Sequence, residues 1–329
     1  MERPIDFSRD RSMLCAACHH RFRVDLDWID RWEQGGEKCS GCGLTCEHED
    51  APRVTVDLDD PALDDGQVAR FAWYHTSTHA DWPTEDFDPA AVLTPVTRRR
   101  MGGDEHVAAW AARQRAKALH VGTYEAAIHN MLRRIANQAD SRSEFHLYRV
   151  RLRPDVVVRE SWVVDPSDWL GDVVLADVCP PGVDVTRYLN RREDPGGISL
   201  ALGRDAIASV QQVSLPLPLD GPDHWASRAV AALESASAAP VPTEDILGRS
   251  RPGPSRRSAV ASELAADLAA RLPVNLRLQV ESAAAFRDGD DPEKWARRAS
   301  GLLGLIEAPE RVLAALDAAE LRLVSAVAS

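Results

Sequence analysis

Arg70-Phe71-Ala72-Trp73-Tyr74-His75-Thr76-Ser77-Thr78 reads as a strand that ends on a histidine and opens into a hydroxyl-rich turn. Side chains alternate along a strand, so Phe71, Trp73 and His75 share one face and Ala72 and Tyr74 the other. Ala118-Leu119-His120-Val121-Gly122-Thr123-Tyr124-Glu125-Ala126-Ala127 reads as strand, glycine turn and helix. Gly122 permits the turn, and Thr123 is the expected N-cap, its oxygen taking a free helix N–H. Ile128, Met131, Leu132 and Ile135 follow at helical spacing and give that helix an apolar face. His146-Leu147-Tyr148-Arg149-Val150-Arg151-Leu152 alternates as a half-buried strand does. Tyr148, Val150 and Leu152 are expected to point in, and Arg149 and Arg151 out.

Further along stand Leu93-Thr94-Pro95 and Tyr188-Leu189-Asn190-Arg191-Arg192-Glu193-Asp194-Pro195-Gly196-Gly197-Ile198-Ser199-Leu200. In order and spacing these pieces, over roughly residues 66–215, resemble the NAD-binding core of the ADP-ribosyltransferase superfamily. Its small rifamycin-modifying branch has an aromatic-His-Gly-Thr strand end, a Leu-Thr-Pro, a strand running into Thr-x-x-Ala-Ala, and an Ile-Tyr-x-Val strand. Here Tyr74-His75-Thr76-Ser77, Leu93-Thr94-Pro95, Thr123 to Ala127 and Leu147-Tyr148-Arg149-Val150 take those places. The Tyr188 segment is similar to one in phage-borne relatives. The resemblance implies an α+β fold, a split β-sheet core with helices.

The activity so implied is cleavage of the nicotinamide–ribose bond of NAD, with ADP-ribose passing to a macromolecular or small-molecule acceptor. The transition state resembles an oxocarbenium ion, which a carboxylate stabilises as in glycoside hydrolysis. By motif position, His75 bonds a ribose hydroxyl and the backbone of Thr76 holds the carboxamide. Thr76 departs from the family's glycine, and its Cβ narrows the pocket. His120 is the candidate ring against nicotinamide, with Tyr124 and His129 as alternatives; His129 also reads as a solvated helix position. The family's acid stands near the start of a late strand, here Ile198–Leu202, where this chain has Ser199. Glu193 is the candidate catalytic acid with His75, and Asp194 its neighbour, although Asp-Pro-Gly-Gly is also a plain turn signal. Without an acid, the chain becomes a degenerate NAD-fold adapter acting through its two ends.

Cys15-Ala16-Ala17-Cys18 and Cys39-Ser40-Gly41-Cys42 are C-x2-C knuckles at the spacing of a four-cysteine zinc ribbon. Four thiolates satisfy tetrahedral zinc and leave no place for a catalytic water, so the ion is expected to be structural. Phe22, Val24, Leu26, Trp28, Ile29 and Trp32 supply an apolar cover. Cys46, His19, His20 and His48 are competing ligands. A redox role would need a thioredoxin-like βαβ setting, which is absent. Cys179, beside two prolines, reads as a packed small hydrophobe.

The chain has 329 residues and a net charge of −12, with 44% apolar residues. The length allows two or three domains. The acidic balance argues against nucleic acid, whose binding rests on phosphate neutralisation. No apolar run approaches the ~20 residues of a membrane span, and Met1 to Asp6 shows no secretory pattern, so a cytoplasmic protein is expected. The organisation expected is a zinc ribbon at 1–50, a linker at 51–65 and the transferase-like domain at 66–220. A helix and a Pro/Ser/Arg-rich linker at 221–258 lead to a helical bundle at 259–329. Leu264, Leu268 and Leu272, then Val312, Leu316, Ala319 and Leu323, mark its stripes, and a turn is expected at 288–292. The bundle carries no chemical motif and is expected to pack, dimerise or hold a protein partner.

Overall fold

The computed structural model describes residues 1–137, 144–165, 173–217, 223–244, 250–287 and 289–324. Residues 245–249 of the expected linker and Asp288 of the expected turn lie outside them. The architecture is mixed α+β with several sheets. Strand β1 (Arg11–Leu14) lies between β2 (Arg21–Val24) and β3 (Arg53–Thr55), antiparallel to both. Helix α1 (Leu26–Glu33) follows, capped by Asp25, whose carboxylate accepts from the Trp28 N–H at 2.7 Å. Met13, Val24, Leu26, Ile29 and Trp32 form a small core there.

The central region continues through α2 (Asp65–Val68), β4 (Trp73–Ser77), α3 (Pro95–Arg100), α4 (Asp104–Arg115), β5 (Leu119–Val121) and α5 (Tyr124–Asn137). Strands β6 (Phe145–Leu152) and β7 (Val158–Val164), helix α6 (Leu175–Val178), and strands β8 (Val185–Leu189), β9 (Ile198–Leu202) and β10 (Ile207–Leu215) complete it. One sheet has the order β10-β6-β4 and the other β5-β9-β8-β7. The sheets meet where Tyr74 and Gly122 exchange two backbone hydrogen bonds of 2.9 Å each. Alternation along β4 and the two residues before it divides two cores. Phe71 and Trp73 join Tyr148, Val150, Leu200 and Leu202. Ala72 and Tyr74 join Ile128, Met131 and Leu132 of α5. Burying each such aliphatic side chain contributes about 1.5–3 kcal/mol.

The C-terminal third holds α7 (His224–Ser235), β11 (Pro240–Glu244), β12 (Ser250–Ser255), α8 (Arg256–Ala269), α9 (Val274–Ala283), α10 (Pro292–Glu307), α11 (Pro309–Ala318) and β13 (Arg322–Leu323). Within the stretch expected as a linker, β11 and β12 pair antiparallel. The larger core runs without a break from Tyr74 and α5 into Leu276, Val280, Trp295 and Leu302. Helix α8 buries Ala261, Ala265 and Ala269, and its leucine stripe packs along the side.

Three expectations need correction. Arg149 does not face solvent: it is 4% exposed, bonded to Gln211, and paired with Glu2 at 3.2 Å and Asp317 at 2.7 Å. Those partners come from both ends of the chain and cover the second face of β6. The last leucine stripe is broken, because α11 stops at Ala318 and Leu323 lies 72% exposed in β13, paired with β10. His129 is not solvated: it is 5% exposed and its ring stacks on Phe7, with centroids 5.9 Å apart. Among the described residues, no helix is long and apolar enough to cross a membrane.

Candidate functional site

Two clusters carry chemistry. The first is a metal site. Cys15 closes its knuckle by donating from its N–H to the His20 carbonyl at 3.0 Å. In the second knuckle the Gly43 N–H reaches the Cys39 carbonyl at 2.8 Å, with φ at +78°. A Cβ on Gly41 would stand 2.8 Å from the His20 Cβ and 3.0 Å from the Cys18 sulfur, so only glycine lets the knuckles close. The four sulfurs lie within 4.8 Å of one another. The Cys15–Cys42 and Cys18–Cys39 separations are 3.7 and 3.8 Å. A tetrahedron with zinc–sulfur bonds of about 2.3 Å has edges of about 3.8 Å, so the donor set and its dimensions fit zinc. Three of the four competing ligands have other partners. Cys46 packs against the small core, His20 stacks on Phe22, and the His48 Nδ1 accepts from the Asp50 N–H.

The second cluster forms at the seam between the sheets. The His75 Nδ1 lies 2.8 Å from the His120 carbonyl. A carbonyl only accepts, so the network assigns the proton to Nδ1 and leaves Nε2 as an acceptor. Burial lowers the His75 pKa to about 3, and the ring is neutral at physiological pH. Its face is covered by Trp82, with centroids 4.1 Å apart and planes at 20°. Trp82 also lines a cavity of about 350 Å³ with His79, Phe87, Lys117, Leu119 and Arg204.

From β5, the His120 Nδ1 meets the Tyr188 hydroxyl at 3.0 Å. Nearby, the Ser199 oxygen accepts from the Asn190 amide at 3.2 Å. The His120 Nε2 is buried and has no hydrogen-bond partner among the described residues. Burial holds His120 neutral, with a pKa of about 4. The charge of Glu193 acts on both His120 and Tyr188. Glu193 is oriented by Arg133 at 2.9 Å and by Asn130 at 3.5 Å.

Comparisons with family models, with curated proteins and with solved structures find no match. What the site contains is therefore read from its own atoms. His75 meets the His120 backbone, His120 meets Tyr188, and the charge of Glu193 acts on the latter two. The Thr76 hydroxyl turns away from them and donates to the Ala127 carbonyl at 3.0 Å. Tyr124 lies in the larger core, its hydroxyl donating to the Leu305 carbonyl at 2.8 Å. Asp194 is fully buried and paired with Arg9 and Arg11. Thr123 is the expected cap, accepting from the Ala126 N–H at 2.9 Å. Gly122 is required by close approach, since a Cβ there would lie 2.8 Å from the Ser199 hydroxyl and 2.9 Å from the Ala126 Cβ. Cys179 is a half-buried member of a side cluster, and burial pushes its thiol pKa up. The sequence reading gives no role to Tyr188, Arg133 or Trp82. Tyr188 and Asn190 stand in a quoted motif, but nothing in the sequence marks Trp82 as the cover of His75.

Proposed function

We propose that the chain is an ADP-ribosyltransferase-like enzyme that cleaves NAD and passes ADP-ribose to an acceptor. One observation supports this: His75 bonds the His120 backbone at the seam of two sheets, and the charge of Glu193 acts on the His120 ring. In the reaction, the bond between the ribose carbon and the nicotinamide nitrogen breaks, and its electron pair neutralises the pyridinium ring. The acceptor's nucleophile then bonds the ribose carbon and releases a proton. The unprotonated His75 Nε2 is suited to accept from a ribose hydroxyl. With the Tyr188 hydroxyl donating to Nδ1, the His120 Nε2–H would be a buried donor suited to the carboxamide oxygen. The Glu193 carboxylate would face the positive charge that develops on the ribose. A buried donor without a partner costs about 1–3 kcal/mol, which a ligand oxygen would recover.

A second reading keeps NAD binding without transfer, as in an adapter protein. The Glu193–Arg133 ion pair and the Trp82 ring over His75 favour it. Nicotinamide release by the purified protein separates the two. As an enzyme, it should release nicotinamide, and His75→Ala and Glu193→Gln should each lower the rate about 100-fold or more. NAD binding by calorimetry with no release in a host lysate would instead support the adapter.

A further inference from the structure

We propose that the four-cysteine centre sets the geometry of the loop carrying Glu193, with Asp194 as the positioning residue between them. For its catalytic consequence this rests on the role given above to Glu193; the coupling itself does not.

Arg11 opens β1, four residues before Cys15, and its side chain is 2% exposed. Its Nη2 lies 3.2 Å from the Asp194 Oδ1, and the Arg9 Nη2 lies 2.5 Å from the same oxygen. The Thr123 hydroxyl donates to the other oxygen, Oδ2, at 2.8 Å. One buried carboxylate thus joins the strand that enters the first knuckle to the turn that starts α5. Removing one partner of such a pair strands a buried charge, so the pieces move together or not at all.

Backbone packing repeats the link. Gly196 has φ at +85°, and a Cβ there would stand 3.2 Å from the Thr55 carbonyl and 3.5 Å from Val54 Cγ1, both on β3. The loop therefore lies directly on the sheet of the metal module. Inside the loop, the Asn190 Oδ1 accepts from the N–H groups of Arg192, Glu193 and Asp194 at 3.0, 2.9 and 3.2 Å. Fixing Asp194 fixes Glu193.

A module this small takes much of its folding free energy from its metal. Metal loss should release β1 and β3, and the loop with them. Coupling is reciprocal: a change that loosens Asp194 must weaken metal binding by the same factor that metal tightens the loop.

The test uses the full chain and no NAD. Amide exchange over residues 190–197 is followed with zinc bound and after chelation, with β6 and β10 as the internal reference. Zinc affinity is measured by competition with a chromogenic chelator for the wild type, Arg9→Ala and Asp194→Asn. The expected result is loop exchange at least ten-fold faster without zinc, with β6 and β10 unchanged. Zinc affinity should fall at least five-fold in Asp194→Asn and by less in Arg9→Ala, whose pair is partly exposed. Unchanged loop exchange on zinc removal would overturn the proposal. So would wild-type zinc affinity in Arg9→Ala, which decides the matter if Asp194→Asn fails to fold. Failure of nicotinamide release would leave both readouts standing, so the two proposals fail separately.

Discussion

Lowering the pH attacks histidines that the fold keeps neutral, and His129 isolates the effect. It is 5% exposed, and its Nδ1 has no hydrogen-bond partner among the described residues. Burial lowers its pKa from 6.5 to about 4, with Asp194 and Arg11 as lesser and opposite influences. Such an imidazole takes its proton first in the unfolded chain. Its share of stability is whole above about pH 6.5 and drains as the pH falls toward 4. One pH unit inside that window is about 1.4 kcal/mol, so going from pH 7.5 to 5 removes about 2 kcal/mol at this residue. Urea denaturation at those two pH values, on the wild type and on His129→Gln, measures it. The wild type should lose about 2 kcal/mol more than the variant. Burial lowers the pKa values of His75 and His120 as well, but both proteins contain them and their effect cancels in the difference. Parallel pH profiles would refute the reasoning.

Chelation at neutral pH should unfold the cysteine module, withdrawing metal binding of about 10–16 kcal/mol; a red shift in fluorescence from the stacked Trp28–Trp32 pair reports it. Gly122→Ala drives a methyl against the Ser199 hydroxyl and the Ala126 Cβ and should cost about 1–3 kcal/mol, read as a lower urea midpoint at constant m-value. Tyr188→Phe removes the hydroxyl partner of His120 Nδ1, and the 15N shifts of that imidazole should show the change. Leaving the nitrogen buried and unpaired should also cost about 1–3 kcal/mol.

Local patterns were legible wherever their cause is local. The β4 alternation sorted Phe71 and Trp73 from Ala72 and Tyr74, as found in the two cores. The cysteine spacing announced a tetrahedral sulfur set, and the Thr123 cap needed only its own turn. What failed depends on distant partners. Arg149 looked solvated because nothing nearby reveals that Glu2 and Asp317 cover it. Asp194 was indistinguishable from a turn residue because Arg11 stands 183 positions away. Tyr124 offered an aromatic ring beside the second motif, yet its hydroxyl belongs to Leu305, 181 positions on. A strand's own polarity tells which face prefers water; it does not tell whether another segment arrives with matching charges.

The unbroken core between α5 and the C-terminal helices has a practical consequence. Helix α9 packs on α5, and Leu305 receives the Tyr124 hydroxyl. A fragment cut after residue 220 would lose that wall. Each large apolar side chain left bare costs about 1.5–3 kcal/mol, against a whole-domain stability of about 5–15 kcal/mol. Two or three such losses would be ruinous. Expressed alone, the central segment should be a sticky, half-collapsed species, and pull-down experiments on it would fish for grease instead of biology.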